Sequence, residues 1–160
     1  MIPGDQIEKT VSELGTTHVI WLPDTTLGQW EQALETSASC ELLRVCREGE
    51  AWPLAAGLYL GGKSPLVMMQ TTGLFESGDA LRNVLFDLGI PLFALIGYRS
   101  YLVEGSPDTA KKFAEPILDA WGLKYELING SNDLPKLVEH YRACQAAGIP
   151  GVGLIAEGAM

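Results

Sequence analysis

The sequence predicts a three-layer α/β/α sandwich around a mainly parallel sheet of about six strands. Short apolar runs alternate with helical patterns along all 160 residues, the order that gives a parallel sheet covered on both faces. Some of the runs, residues 91–96 above all, are apolar without a break, so neither face of such a strand meets water. Polar stretches follow the C-terminal ends of the runs, and right-handed crossovers gather those stretches at one edge of the sheet.

Residues 5–14 place Ile7, Val11 and Leu14 on one side of an amphipathic helix that Gly15 stops. Residues 18–22 form the first strand. Pro23-Asp24-Thr25-Thr26 is a tight loop in which Thr25 or Thr26 caps a helix over 27–35. The second strand, 41–46, runs into Arg47-Glu48-Gly49-Glu50. The helix after it opens at Pro53, where a missing N–H costs nothing, carries small residues at Ala55, Ala56 and Gly57, and ends at Gly61-Gly62.

Pro65–Gln70 is the third strand. Thr71-Thr72-Gly73-Leu74 turns from it into a helix that runs from near Ser77 to about Leu88. Residues 91–96 form the fourth strand, 97–108 a polar loop, and Pro107 or Asp108 opens a helix that reaches about Trp121. Lys124–Ile128 is the fifth strand, Leu134–Ala147 a helix with Leu137, Val138 and Tyr141 inward, and 152–156 the last strand. With no repeat, low-complexity segment or linker, residues 1–160 read as a single domain.

Composition narrows the functions. At 47% hydrophobic and 19% charged, the chain is globular. A net charge of −9 argues against nucleic acid and anionic membranes as partners. No apolar run approaches the ~18 residues of a membrane span. The first residues have neither a charged n-region nor an apolar h-region, so the expected location is cytoplasmic. Cys40 and Cys46 bracket the second strand, roughly 20 Å apart, too far to bridge. With Cys144 they read as three reduced thiols.

Four polar stretches meet at the predicted sheet edge: Pro23-Asp24-Thr25-Thr26, Arg47-Glu48-Gly49-Glu50, Gln70-Thr71-Thr72-Gly73 and Gly97-Tyr98-Arg99-Ser100. That edge is where open α/β sheets bind ligands. Glu48 either favours a helix dipole or offers a carboxylate to a ligand; Glu50, nearer the helix start, suits the first role. Asp24 is either a turn residue or a ligand contact. Arg99 is either a solvated charge or a planar clamp for an anion. His18 and His140 lie off the edge and read as structural. Gly151-Val152-Gly153-Leu154-Ile155-Ala156 matches a dinucleotide fingerprint only as a string, since no helix follows it.

The run Arg47-Glu48-Gly49, then Leu54-Ala55-Ala56-Gly57-Leu58-Tyr59-Leu60-Gly61-Gly62-Lys63, then Val67-Met68-Met69-Gln70-Thr71-Thr72-Gly73-Leu74 resembles the pyrimidine-binding (PYR) domain of thiamine diphosphate enzymes. More narrowly it resembles the α subunit of sulfopyruvate decarboxylase and the N-terminal half of phosphonopyruvate decarboxylase. The likeness spans residues 17–157 and is strongest over 45–99. It implies that Glu48 hydrogen-bonds a ring nitrogen of the aminopyrimidine, favouring the imino tautomer that deprotonates the thiazolium. It implies further that Thr71, Thr72, Gly73 and Leu74 border the pyrimidine, that Asp24 or Thr25 faces the substrate, and that Arg99 holds an anionic group.

The resemblance also implies what is missing. No Gly-Asp-Gly followed by Asn is present to bind diphosphate and Mg²⁺. The expected partner is therefore a β subunit carrying the PP domain and the metal ligands, in a hetero-oligomer active only as a pair. The implied substrate is a small anionic 2-oxoacid, sulfopyruvate first and phosphonopyruvate next. Another thiamine diphosphate carboligase subunit and a non-catalytic PYR-like binding module are the alternatives. Where the related decarboxylases read Asn-Ser-Gly-Leu-Gly-Asn, this chain reads Thr71-Thr72-Gly73-Leu74-Phe75-Glu76, and residues 100–108 carry no His. A bare carboxylate at Glu76 would repel an anionic substrate.

Overall fold

A computed structural model describes residues 2–25 and 27–158. Its six strands are β1 (His18–Trp21), β2 (Glu41–Arg44), β3 (Pro65–Gln70), β4 (Phe93–Tyr98), β5 (Lys124–Ile128) and β6 (Gly151–Ala156). They form one sheet in the order β2-β1-β3-β4-β6-β5, and every pairing is parallel. The expected sandwich with a parallel sheet is therefore the observed architecture.

Every residue of β3, β4 and β6 is buried, which is why these strands read as unbroken apolar runs. Side-chain alternation sends Val67 and Met69 to one face and Leu66 and Met68 to the other. Three helices cover the first face: α3 (Glu48–Leu60) through Trp52 and Ala55, α5 (Gly78–Arg82) through Leu81, and α6 (Thr109–Ala120) through Ala114 and Leu118. The short helix α4 (Thr71–Glu76) adds Leu74 to that face. The second face is covered by α1 (Gly4–Glu13) through Ile7 and Val11, by a 3₁₀ turn (Leu27–Trp30) leading into α2 (Glu31–Glu35), and by α7 (Leu134–Ala147) through Leu137 and Cys144.

The glycines of the dinucleotide-like string serve packing. A Cβ on Gly151 would fall 2.5 Å from Cys144 Sγ, and one on Gly153 would fall 2.6 Å from Leu137 Cδ1. Their absence lets α7 close on β6. All three cysteines are free thiols. No helix among the described residues is long and apolar enough to cross a membrane.

Several boundaries differ from expectation. β4 covers Phe93–Tyr98 rather than 91–96, so Gly97 and Tyr98 belong to the buried strand and not to the loop. At three helix starts side chains take part in the bonding that sets the end. The loop before α2 is closed by Asp24, whose Oδ1 accepts the Leu27 amide at 2.8 Å. Asp24 thus takes up the Leu27 amide, and Thr26 lies outside the described residues. Helix α3 starts at Glu48, so Pro53 is its sixth residue and an internal one. Pro53 gives up the bond to the Gly49 carbonyl, but the helix start is held from elsewhere. Glu50 Oε2 accepts the Cys46 amide at 3.1 Å, and Glu76 Oε2 accepts the Gly49 amide at 3.1 Å. Thr71-Thr72-Gly73-Leu74 is not a loop but the first turn of α4, which breaks at Ser77 before α5 and a π-helical turn, Asn83–Asp87. Ser77 Oγ accepts the indole N–H of the buried Trp52 at 2.9 Å and ties that break to α3.

Candidate functional site

The chain leaves β1 for α2 on one face and β3 for α4 on the other, so the connections diverge between these two neighbours. Such a switch point opens a crevice at the C-terminal edge of a parallel sheet. Glu48 stands at this edge as the first residue of α3. Its half-buried side chain lies across Gly73 of α4: a Cβ at position 73 would fall 2.5 Å from Glu48 Cγ and 2.8 Å from Oε1. Any side chain there would displace the carboxylate. The positive end of a 13-residue helix favours the anion at this position. Among the described residues the Glu48 carboxylate makes no hydrogen bond, which leaves its oxygens available to a ligand.

The four residues expected to border the ring divide by orientation. Gly73 supplies the berth for Glu48. Thr72 is exposed and donates to Gln70 Oε1 at 3.2 Å. Thr71 and Leu74 are fully buried. The Thr71 hydroxyl donates to the Gly97 carbonyl at 2.5 Å and accepts the Arg99 amide at 3.3 Å, so it joins the ends of β3 and β4. Thr71 and Leu74 therefore shape this edge through backbone and packing.

Arg99 donates from Nε to Asp108 Oδ2 at 2.9 Å, and Ser100 Oγ donates to the same oxygen at 2.8 Å. Asp108 Oδ1 caps α6 by accepting the Ala110 amide at 3.0 Å. Burial pushes the Asp108 carboxyl up, but the Ala110 amide, the Ser100 hydroxyl and the Arg99 guanidinium outweigh it and hold it below its ordinary value. Arg99 is thus a held cation, and its side chain is 32% exposed. The structure links Glu48, Gly73, Thr71 and Arg99 in one contiguous chain of contacts across three strand ends. In the first-strand loop Asp24 turns back on Leu27, and Thr25 is exposed.

Two further carboxylates lie at this edge. Glu76 pairs with Arg47 Nε at 2.5 Å, so it is not the bare repulsive charge that its position in the sequence suggested. Glu157 follows β6 directly and is 1% exposed. Its amide donates to the Tyr98 carbonyl, its carbonyl accepts the Leu102 amide, and a Cβ on Gly97 would fall 2.8 Å from its Cδ. The signal in the sequence was an acidic residue placed directly at the C-terminal end of the last apolar strand. His18 pairs with Glu41 at the opposite edge, and His140 packs edge-on against Phe93. Among the described residues no cluster of three or more His, Cys, Asp or Glu is arranged to hold a metal ion.

Two cavities flank the molecule's surface, one away from this edge and one beside it. One, of about 530 Å³, lies between α1 and α7 and is lined by Lys9, Glu13, Leu134, Val138 and Arg142. Another, of about 360 Å³, opens beside the start of α3 next to Arg47, Gly49, Glu50 and Glu76. The edge through Glu48, Gly73 and Arg99 is marked by its converging polar groups, not by volume.

No family model matches the chain. It is similar to a sulfopyruvate decarboxylase of Methanosarcina acetivorans, 32% identical over 97 residues, which are 59% of this chain and 25% of the relative. It is similar to a sulfopyruvate decarboxylase subunit alpha of Methanococcus maripaludis, 27% identical over 104 residues, 65% of this chain and 62% of the relative. It is also similar to a phosphonopyruvate decarboxylase of Streptomyces viridochromogenes, 26% identical over 152 residues, 92% of this chain and 37% of the relative. The chain thus spans between a quarter and about three fifths of these relatives' lengths. Among solved structures it is similar to a 2-oxoglutarate:ferredoxin oxidoreductase from Magnetococcus marinus, with a TM-score of 0.72 and 14% identity over 98% of this chain and 29% of that one. That likeness concerns the fold alone, a three-layer sandwich around a parallel sheet. The relatives found by sequence are those that the run through Glu48 and Gly73 resembles.

Proposed function

We propose that this chain is the PYR subunit of a thiamine diphosphate-dependent 2-oxoacid decarboxylase, with sulfopyruvate as the leading substrate and phosphonopyruvate next. The observation that carries the reading is the Glu48 carboxylate, set at the start of α3 and laid across Gly73 at the switch-point edge. Similarity to proteins named sulfopyruvate and phosphonopyruvate decarboxylases supports the reaction class. The name "subunit alpha" borne by one relative supports a partner.

The residues present fit the pyrimidine end of the coenzyme. A carboxylate free of internal hydrogen bonds stands ready to share a proton with a ring nitrogen, and the bare Cα of Gly73 keeps it in place. When bound, thiamine diphosphate would supply the nucleophilic carbon and the electron sink that decarboxylation of a 2-oxoacid needs. Glu48 would hold the shared proton at a carboxylate oxygen, on the side of the ring that faces α3. Arg99, anchored through Nε on Asp108, binds the anionic group of the substrate with its remaining guanidinium edge. Asp24 or Thr25 borders the substrate from the first-strand loop. The diphosphate and Mg²⁺ are assigned to a β subunit with a PP domain, which closes the site from the other side.

The test is co-purification with such a β subunit and measurement of CO₂ release from sulfopyruvate, phosphonopyruvate and pyruvate. CO₂ from the pair, with sulfopyruvate preferred, and none from either subunit alone is the expected result. A tight pair that releases no CO₂ from any of the three would sink the reading.

A further inference from the structure

We infer that Glu76 is a positioning residue for Glu48, gripping the residues on both sides of it and so setting where its carboxylate lies. The inference rests on the role proposed above for Glu48. Gly73 and Glu76 are three residues apart on α4, hence on one side of that short helix. Gly73 provides the surface on which the Glu48 side chain rests. One turn further on, Glu76 takes hold of the backbone that carries it. Oε1 accepts from Arg47 Nε at 2.5 Å, and Oε2 accepts from the Gly49 amide at 3.1 Å.

The N-cap residue of α3 is Arg47, whose own side chain makes no capping bond. The Gly49 amide is one of the orphan donors that every helix start leaves. Glu76 therefore supplies from another helix the cap that α3 lacks. Glu50 adds a third tie through the Cys46 amide. Residues 46, 47 and 49 are thus held by carboxylates, and Glu48 between them is left with its own carboxylate unused.

A carboxylate suits this task better than an amide. Both of its oxygens accept, and its charge meets a guanidinium and a helix N-terminus together. The gain is geometric more than energetic. The Arg47 side chain is 73% exposed, and an ion pair screened by water adds little to stability. Placement of a reacting group is far more sensitive: an error near 1 Å costs roughly a hundredfold in rate.

The experiment uses the reconstituted α/β pair with Glu76→Ala and Glu76→Gln, each alone and combined with Glu48→Gln. The readouts are kcat, KM, the thermal midpoint and thiamine diphosphate affinity from tryptophan fluorescence. Glu76→Ala is expected to lower kcat about tenfold to a hundredfold, with KM within about twofold and the thermal midpoint down by no more than about 4 °C, the loss of one cap. Coenzyme affinity should weaken several-fold. Glu76→Gln keeps one acceptor and should fall in between. In the Glu48→Gln background the Glu76 substitutions should add nothing to either rate or affinity, since they act through Glu48.

If Glu48→Gln cripples the pair while Glu76→Ala matches wild type in rate and affinity, the clamp is overturned and the function stands. A Glu76→Ala loss that persists in full in the Glu48→Gln background, or that tracks a large fall in thermal midpoint, also overturns it. If Glu48→Gln itself is harmless, the proposed function fails first.

Discussion

Glu48 and Glu157 both lie across a glycine at the same edge of the sheet, Glu48 on Gly73 and Glu157 on Gly97. In both places a missing Cβ makes room for a carboxyl group. Their surroundings differ. Glu48 begins a helix, is half-buried, and has an unused carboxylate. Glu157 extends a central strand, is 1% exposed, and has its backbone bonded to Tyr98 and Leu102. A glycine under a side chain at a helix start presents that side chain; a glycine under one at a strand end seals it in. The first arrangement is what a binding partner can use, and the second is what the fold uses.

The sharpest way to break this comparison is Glu48→Gln in the reconstituted pair. A proton-sharing role predicts a loss of about 10²–10⁴-fold in CO₂ release, with subunit assembly unchanged on a sizing column. Next come the two glycines. Gly73→Ala pushes against a side chain free to swing outward, so turnover should fall about tenfold or more while stability changes by less than about 1 kcal/mol. Gly97→Ala pushes against a sealed side chain and should cost about 1–3 kcal/mol in a denaturant titration. If Gly73→Ala unfolds the protein and Gly97→Ala spares it, the distinction between presented and sealed is wrong.

A smaller effect separates Arg99 from its anchor. The Asp108 carboxyl is held below its ordinary value in the folded chain. It therefore contributes stability that is present above its unfolded value, near pH 4, and is lost as pH falls through the folded value. Asp108→Asn should thus be less stable than wild type at neutral pH, with the gap closing in acid; denaturation midpoints along a pH series would show it. A gap independent of pH would mean that Asp108 acts only as a neutral cap. The smallest effect belongs to Glu50→Gln. Its amide oxygen can still accept the Cys46 N–H, so stability should stay within about 0.5 kcal/mol and turnover within about twofold.

The sequence by itself determined the alternation of strands and helices, the parallel sheet, and the presence of Glu48 at its C-terminal edge. Runs such as residues 65–70 and the helical spacing of Leu134–Ala147 are local patterns, and burial acts on them residue by residue. The resemblance added a role for Glu48, because the order Glu48, Ala55-Ala56-Gly57, Gly73 survives in a linear reading. Only the tertiary structure decided that α3 begins at Glu48 and α4 at Thr71, that Glu76 is paired, that Asp108 holds Arg99, and that Gly73 and Gly97 are berths. The physical reason is distance along the chain. The Gly49 amide is satisfied by a carboxylate 27 residues away and the Gly97 carbonyl by a hydroxyl 26 residues away. A helix start or a glycine's purpose set by such contacts has no local signature, since the groups that settle it meet only after the sheet has formed.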